Sequence, residues 1–201
     1  MIKIALLASG NGSNAEAIIK HFGQHPNIKI VCFSDNEDAK ALERAKNLDI
    51  EAIYLPFEQN FEYFSQNPFD LYVLAGYMRV LPTNILDLGT FINIHPSLLP
   101  AFKGKEAIKQ AYEHGVKVTG VTVHYVSEEV DSGKIIAQTP VMIDEGMNLA
   151  ELETKIHEVE HQLYPLVIES FLYDKIVDFL PQKSGCGCKS NDKGCGGKCG
   201  H

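Results

Sequence analysis

Ile2-Lys3-Ile4-Ala5-Leu6-Leu7-Ala8-Ser9-Gly10-Asn11-Gly12-Ser13-Asn14-Ala15 opens the chain with a near-continuous apolar run that ends on a glycine loop. A run of that kind fits a parallel strand covered on both faces. The residues from 14 to 22 then read as a helix, so the opening unit is strand, glycine turn, helix. The pattern repeats outward. Residues 28–34 and 50–55 read as strands around a helix over 37–48, a short weakly helical piece spans 61–65, and further strands span 71–75 and 91–94. Strands alternating with helices predict an α/β fold, a doubly wound and mostly parallel sheet of Rossmann-like form.

The pattern changes after Pro100. Residues 105–114 look helical, and residues 116–126 and 135–143 look like strands joined through a tight reversal at Asp131-Ser132-Gly133. This predicts a C-terminal antiparallel β-hairpin added to the sheet. A closing helix over 148–173 carries an apolar stripe of Leu149, Leu152, Ile156, Val159, Leu163 and Leu166, with a kink expected at Pro165.

The 201 residues are enough for one large domain with a substantial core. A hydrophobic fraction of 45% beside 22% charged residues describes a globular chain rather than a disordered one. The net charge of -8, with Arg44 and Arg79 the only arginines, argues against a surface built on phosphate contacts to nucleic acid. No apolar run reaches the length of a membrane span, and the short opening run lacks the form of a signal peptide, so a cytoplasmic protein is expected. Residues 182–201 differ in composition, holding six of the 16 glycines, four Lys and the thiols Cys186, Cys188, Cys195 and Cys199. We read residues 1–181 as the catalytic domain and 182–201 as a flexible Gly/Cys/Lys-rich tail. The tail's spacing is not a standard zinc pattern, and an exposed thiol tail is preferred over a metal clip.

Three motifs carry chemistry. Gly10-Asn11-Gly12-Ser13-Asn14-Ala15 fits the dinucleotide fingerprint G-x-G-x-x-A, with Asp35 placed to pose as a ribose acid. It fits equally a cradle for a single phosphate on a helix N-terminus, or a helix merely well capped by a Ser13/Glu16 box. Asn93-Ile94-His95-Pro96-Ser97-Leu98-Leu99-Pro100 sets an amide and an imidazole on one face of a strand end. Such a pair is equipped to hold an oxygen that becomes negative during a reaction; the plainer reading is a set of turn hydrogen bonds. His157-Glu158-Val159-Glu160-His161 matches H-E-x-x-H, but Val159 belongs to the core stripe and no third ligand follows, so a charged helix edge is the better reading than a zinc site.

These motifs, with Leu74-Ala75-Gly76-Tyr77-Met78-Arg79-Val80-Leu81, Val130-Asp131-Ser132-Gly133 and Glu160-His161 followed by Tyr164-Pro165-Leu166, occur in the order seen in the phosphoribosylglycinamide formyltransferases. The chain resembles that folate-dependent family from residue 1 to about residue 181. The resemblance implies attack of a ribonucleotide amine on the formyl carbon of 10-formyltetrahydrofolate. It implies His95, Asn93 and Asp131 as catalytic residues, the first two on the formyl oxygen and Asp131 beside the imidazole and the attacking amine. Gly12, Ser13, Asn14 and Glu160 resemble the residues that hold the ribonucleotide. Met78, Arg79, Val80, Leu81 and Asn93, with the loop of Ser127, Glu128, Glu129, Val130 and Asp131, resemble the folate wall. The partners implied are small molecules, with no nucleic acid, membrane or active-site metal, in a monomer or homodimer. Arg79 also stands out by itself, as one of two arginines at the C-terminal end of a strand, where α/β folds bind ligands.

Two departures qualify the match. Residues 55–70 contain no Lys or Arg to meet a folate tail, and Ala101-Phe102-Lys103-Gly104-Lys105 replaces a Pro-Gly loop with lysines that could compensate. A related formyltransferase acting on another amine is the nearest alternative; a dinucleotide-dependent oxidoreductase and a non-catalytic folate or phosphate sensor are the others.

Overall fold

Seven strands form one sheet in the order β3-β2-β1-β4-β5-β6-β7. The computed structural model describes residues 1–177; the 181/182 boundary and the cysteine tail lie outside the described residues. The strands are β1 (Ile2–Leu7), β2 (Ile28–Ser34), β3 (Glu51–Tyr54), β4 (Leu71–Leu74), β5 (Phe91–His95), β6 (Val118–Tyr125) and β7 (Ile135–Met142). The helices are α1 (Ser13–Phe22), α2 (Lys40–Asn47), α3 (Asn60–Gln66), α4 (Thr83–Leu86), α5 (Ala107–Glu113) and α6 (Leu149–Val177). β1 pairs in parallel with both β2 and β4, and β4 with β5, while β6 and β7 add in antiparallel fashion. The doubly wound, mostly parallel sheet with an antiparallel hairpin and a closing helix is therefore as the sequence predicts. The order reverses between β1 and β4, the crevice where ligands bind in such sheets.

Alternation along β1 builds two cores. Ile4 and Leu6 face α1, α2 and α6, and Ala5 and Leu7 face an aromatic layer with Phe33, Phe64, Tyr72 and Phe91. Local chemistry explains the differences from the sequence reading. The second helix starts at Lys40 rather than 37, because the Asn36 side chain accepts the Asp38 amide (3.1 Å) in a turn of its own. The expected Ser13/Glu16 box does not form. α1 starts from Gly12 in a left-handed conformation with no side-chain cap, and Glu16 binds Lys20 and Arg44 instead.

α6 does begin with a reciprocal box. Asn148 Oδ1 accepts the Glu151 amide at 3.0 Å, and the Glu151 carboxylate accepts that of Asn148 at 2.8 Å. The helix runs through Pro165 without a break. Its buried line is Leu152, Ile156, Glu160, Tyr164, Ile168 and Leu172, every fourth residue. Leu166, expected in the stripe, is 58% exposed, because steps of three from Leu163 rotate a residue off that line. The line places one carboxylate, Glu160, under the protein surface.

Tyr164 fixes that placement. Its hydroxyl lies 2.9 Å from the Leu74 carbonyl and 3.0 Å from that of Ile92, sharing one proton between β4 and β5. Tyr164→Phe leaves both carbonyls without this donor and is expected to destabilise the protein by about 1–3 kcal/mol. Urea titration should show a lower midpoint at an unchanged slope; an unchanged midpoint would show that the contact contributes nothing.

Candidate active site

The C-terminal ends of β1, β4 and β5 converge with the hairpin loop. Asn93 and His95 leave β5 on the same face, and antiparallel pairing sets Asn93 directly opposite His124 of β6. The Asn93 amide nitrogen lies 3.2 Å from His124 Nε2. His124 Nδ1 is 2.8 Å from the Tyr125 carbonyl, which only accepts, so that nitrogen carries a proton. Asp131 closes the set, with Oδ1 3.6 Å from His124 Nε2 and Oδ2 3.3 Å from His95 Nδ1. The three residues expected from sequence thus come together as a chain running Asn93, His124, Asp131, His95.

His124 is the member that sequence reading missed. The alternation of β6 was legible, but which β6 residue faces Asn93 depends on register, and the sequence offers no turn signal that sets it.

The loop geometry holds the carboxylate in place. Asp131 adopts φ 49, and Oδ2 accepts the Gly104 amide at 2.8 Å. A Cβ at Gly133 would stand 1.7 Å from the Tyr125 carbonyl, so only glycine lets the reversal press this closely onto β6. Burial by itself raises the Asp131 carboxyl, but the His124 contact, the Gly104 amide and the nearby His95 outweigh it and hold the group below the ordinary carboxylate range. It is ionised at neutral pH. His95 is buried, and its Nε2 lies 2.9 Å from the Phe102 carbonyl. Both its ring nitrogens therefore face oxygens that accept. The loop after β5 is braced through Thr122, whose hydroxyl donates to the Ser97 carbonyl (2.6 Å) and accepts the Leu99 amide (3.0 Å).

The glycine loop lies across the crevice. A Cβ on Gly12, which has φ 74, would meet Ala41 at 2.6 Å, so glycine is required both for the backbone angle and for contact with α2. Uncapped by any side chain, the first amides of α1 present a ready anion site. The Asn14 amide nitrogen donates to Glu160 Oε2 at 3.2 Å, joining the loop to α6. Two members of the expected ribonucleotide set, Asn14 and Glu160, therefore meet. Glu160 is 3% exposed, and its Oε2 also lies 2.7 Å from His157 Nδ1. Within the His157–His161 motif His157 is thus engaged by Glu160, and no group of three or more His, Cys, Asp or Glu able to hold a metal occurs among the described residues.

Of the residues expected to form the folate wall, Met78, Arg79 and Val80 are exposed. Leu81, expected in the wall, has its side chain buried in the aromatic layer, where the chain turns inward before α4. Arg79 Nε donates to Asp35 Oδ2 at 2.6 Å, and Asp35 Oδ1 accepts the Ser9 hydroxyl at 2.6 Å. Burial opposes ionisation of Asp35, yet Ser9 and Arg79 prevail and lower its pKa. So engaged, Asp35 is a poor ribose acid, which removes the main support for a dinucleotide. Glu128 of the hairpin loop accepts a hydrogen bond from Thr83, drawing residues 127–131 toward the 78–81 segment. Ser127 donates to the Glu129 carbonyl, and Glu129 and Val130 are exposed. Lys103 is tied to Ser132 (2.6 Å) within the same rim.

A family described as formyl transferase matches residues 2–168. The chain belongs to the formyl transferase family. This formyl transferase is 43% identical over 188 residues to the phosphoribosylglycinamide formyltransferase of Bacillus subtilis, covering 86% of this chain and 95% of the relative. It is 42% identical to that of Haemophilus influenzae, over 85% of this chain and 87% of the relative. Among solved structures, the phosphoribosylglycinamide formyltransferase from Bacillus halodurans superposes with a TM-score of 0.79 at 42% identity, over 86% of this chain and 96% of the other.

Proposed function

We propose that this formyl transferase moves the formyl group of 10-formyltetrahydrofolate to the amine of 5′-phosphoribosylglycinamide, a step of purine biosynthesis. The observation that carries the reading is the chain from Asn93 through His124 and Asp131 to His95, at a sheet end shared with a phosphate-type glycine loop.

The amine nitrogen bonds to the formyl carbon, and the carbonyl electrons collect on oxygen. The Asn93 amide and a His95 N–H stabilise that oxygen; the formyl oxygen competes with the Phe102 carbonyl for the imidazole. Asp131 accepts the amine proton, directly or through water, while its other contacts hold the imidazole in place. Collapse restores the carbonyl, breaks the bond to N10 of the folate, and returns a proton to N10. The ribonucleotide phosphate sits on the amides of Gly12, Ser13 and Asn14, and its ribose or glycinamide end reaches Glu160. The folate lies between Met78, Arg79 and Val80 and the 127–131 loop, with Leu81 supporting from beneath. Both ligands are small molecules, and no described helix is long and apolar enough to cross a membrane. Catalysis in the cytoplasm by a monomer or homodimer belongs to the same proposal.

The test is an absorbance assay with the ribonucleotide and a 10-formylfolate donor. Deformylation of the donor with formylated ribonucleotide as product is expected; clean transfer to a different amine, with none to this one, overturns the substrate assignment.

A further inference from the structure

Glu160 poses an electrostatic problem that the proposed reaction does not by itself solve. Its carboxylate is buried within reach of Asn14, in the first turn of the helix whose N-terminus would hold a phosphate. Two anions in one pocket repel, the more so where one of them is buried. The nearby cations are committed elsewhere: Lys20 and Arg44 both bind Glu16, and Arg44 also holds the Asn11 carbonyl at 2.9 Å. What faces Glu160 is His157, one turn earlier on α6, with Nδ1 2.7 Å from Oε2. Asn14 Oδ1 meanwhile is buried without a hydrogen-bond partner.

We propose that His157 is the countercharge of this pocket: as an imidazolium paired with Glu160, it lets a buried carboxylate share the site with a phosphorylated substrate, and its deprotonation weakens binding of that substrate. The inference rests on the ribonucleotide reading above. His157 is a positioning residue acting through Glu160, and its half-exposed side chain can exchange protons with solvent.

The surroundings agree with the role. The Glu160 hydrogen bond raises the His157 pKa above its ordinary value against the opposing effect of burial, with Glu153 adding to the rise. His161 stacks on it at 6.4 Å and is shifted the other way, chiefly by burial, so the pair favours one charge, on His157. The other ionisable groups around these rings and Glu160 are Glu158 and Tyr164 on α6 and Glu16 on α1, with Lys20 and His21 of α1 lining the groove beside His161. The sign follows from the raised pKa. The countercharge is present below it and is lost as pH rises through it.

Steady-state kinetics of the full chain, with the ribonucleotide varied between about pH 6.5 and about pH 9, tests this in wild type, His157→Gln and His157→Arg. Wild-type KM for the ribonucleotide should rise about tenfold with pH relative to His157→Arg, whose charge persists. His157→Gln should show the high KM at every pH, with kcat and the donor KM unchanged. Calorimetric binding of the ribonucleotide to wild type should weaken in parallel. A His157→Gln variant that follows the wild-type KM profile, or one that changes only kcat, overturns the inference while leaving the reaction intact. A wild type that forms no formylated product overturns the proposed function and this inference together.

Discussion

His95→Ala is expected to lower kcat by about three orders of magnitude, with both KM values changed by less than about fivefold. The size follows from what is removed. In the proposed reaction the imidazole donates an N–H to the formyl oxygen, a contribution largest when that oxygen becomes negative, so the ground state loses little. It also bridges Asp131 and the Phe102 carbonyl, 3.3 and 2.9 Å away, in a buried setting. Alanine strands the Phe102 carbonyl and takes one of the contacts of Asp131, so a fall in melting temperature accompanies the loss of rate. Turnover measured on folded protein, checked by circular dichroism, separates the two effects. Turnover within a factor of about ten of wild type would remove His95 from the chemistry.

The second large effect is expected from Asp131→Asn, which should lower kcat by about two to three orders of magnitude while preserving shape. Asparagine has an acceptor for the Gly104 amide, but it cannot carry the charge that faces both His95 and His124 or accept a proton from the amine. The wild-type carboxyl is held below its ordinary pKa, so it loses the base only under strongly acidic conditions, and kcat/KM should stay level on the acid side until other groups titrate. In Asp131→Asn the remaining activity should show no acid limb from this group. A variant as active as wild type would mean that Asp131 shapes the loop without taking part in proton transfer.

The parallel sheet was legible because β1, β2 and β4 are almost wholly apolar, with Lys3 and Lys29 near the strand starts as the charged exceptions, a pattern set by cover on both faces rather than by any partner's identity. Asn93 and His95 were legible for a similar reason, since spacing of two in a strand fixes a shared face. Less could be read wherever distant segments meet. His124 entered the site through β5/β6 register, and the Phe102 and Gly104 backbone groups through loop conformation, which no side chain announces. Asp35 read as a ligand acid because its place after β2 is right for one. Only the crossing of Ser9 and Arg79 from neighbouring strand ends shows it to be an internal partner. Leu166 failed for lack of geometry: one residue of rotation on α6 turns it to solvent. The H-E-x-x-H match likewise resolved through α6, where a buried line every fourth residue takes Glu160 inward and leaves His157 above it.

The most direct measurement is a crystal structure with the ribonucleotide and a folate bearing a non-transferable carbonyl in place of formyl. The carbonyl oxygen should lie within about 3 Å of both the Asn93 amide and a ring nitrogen of His95, with the substrate amine within reach of Asp131. A carbonyl bound against another wall, with Asn93 still on His124 and His95 still on the Phe102 carbonyl, would contradict the account.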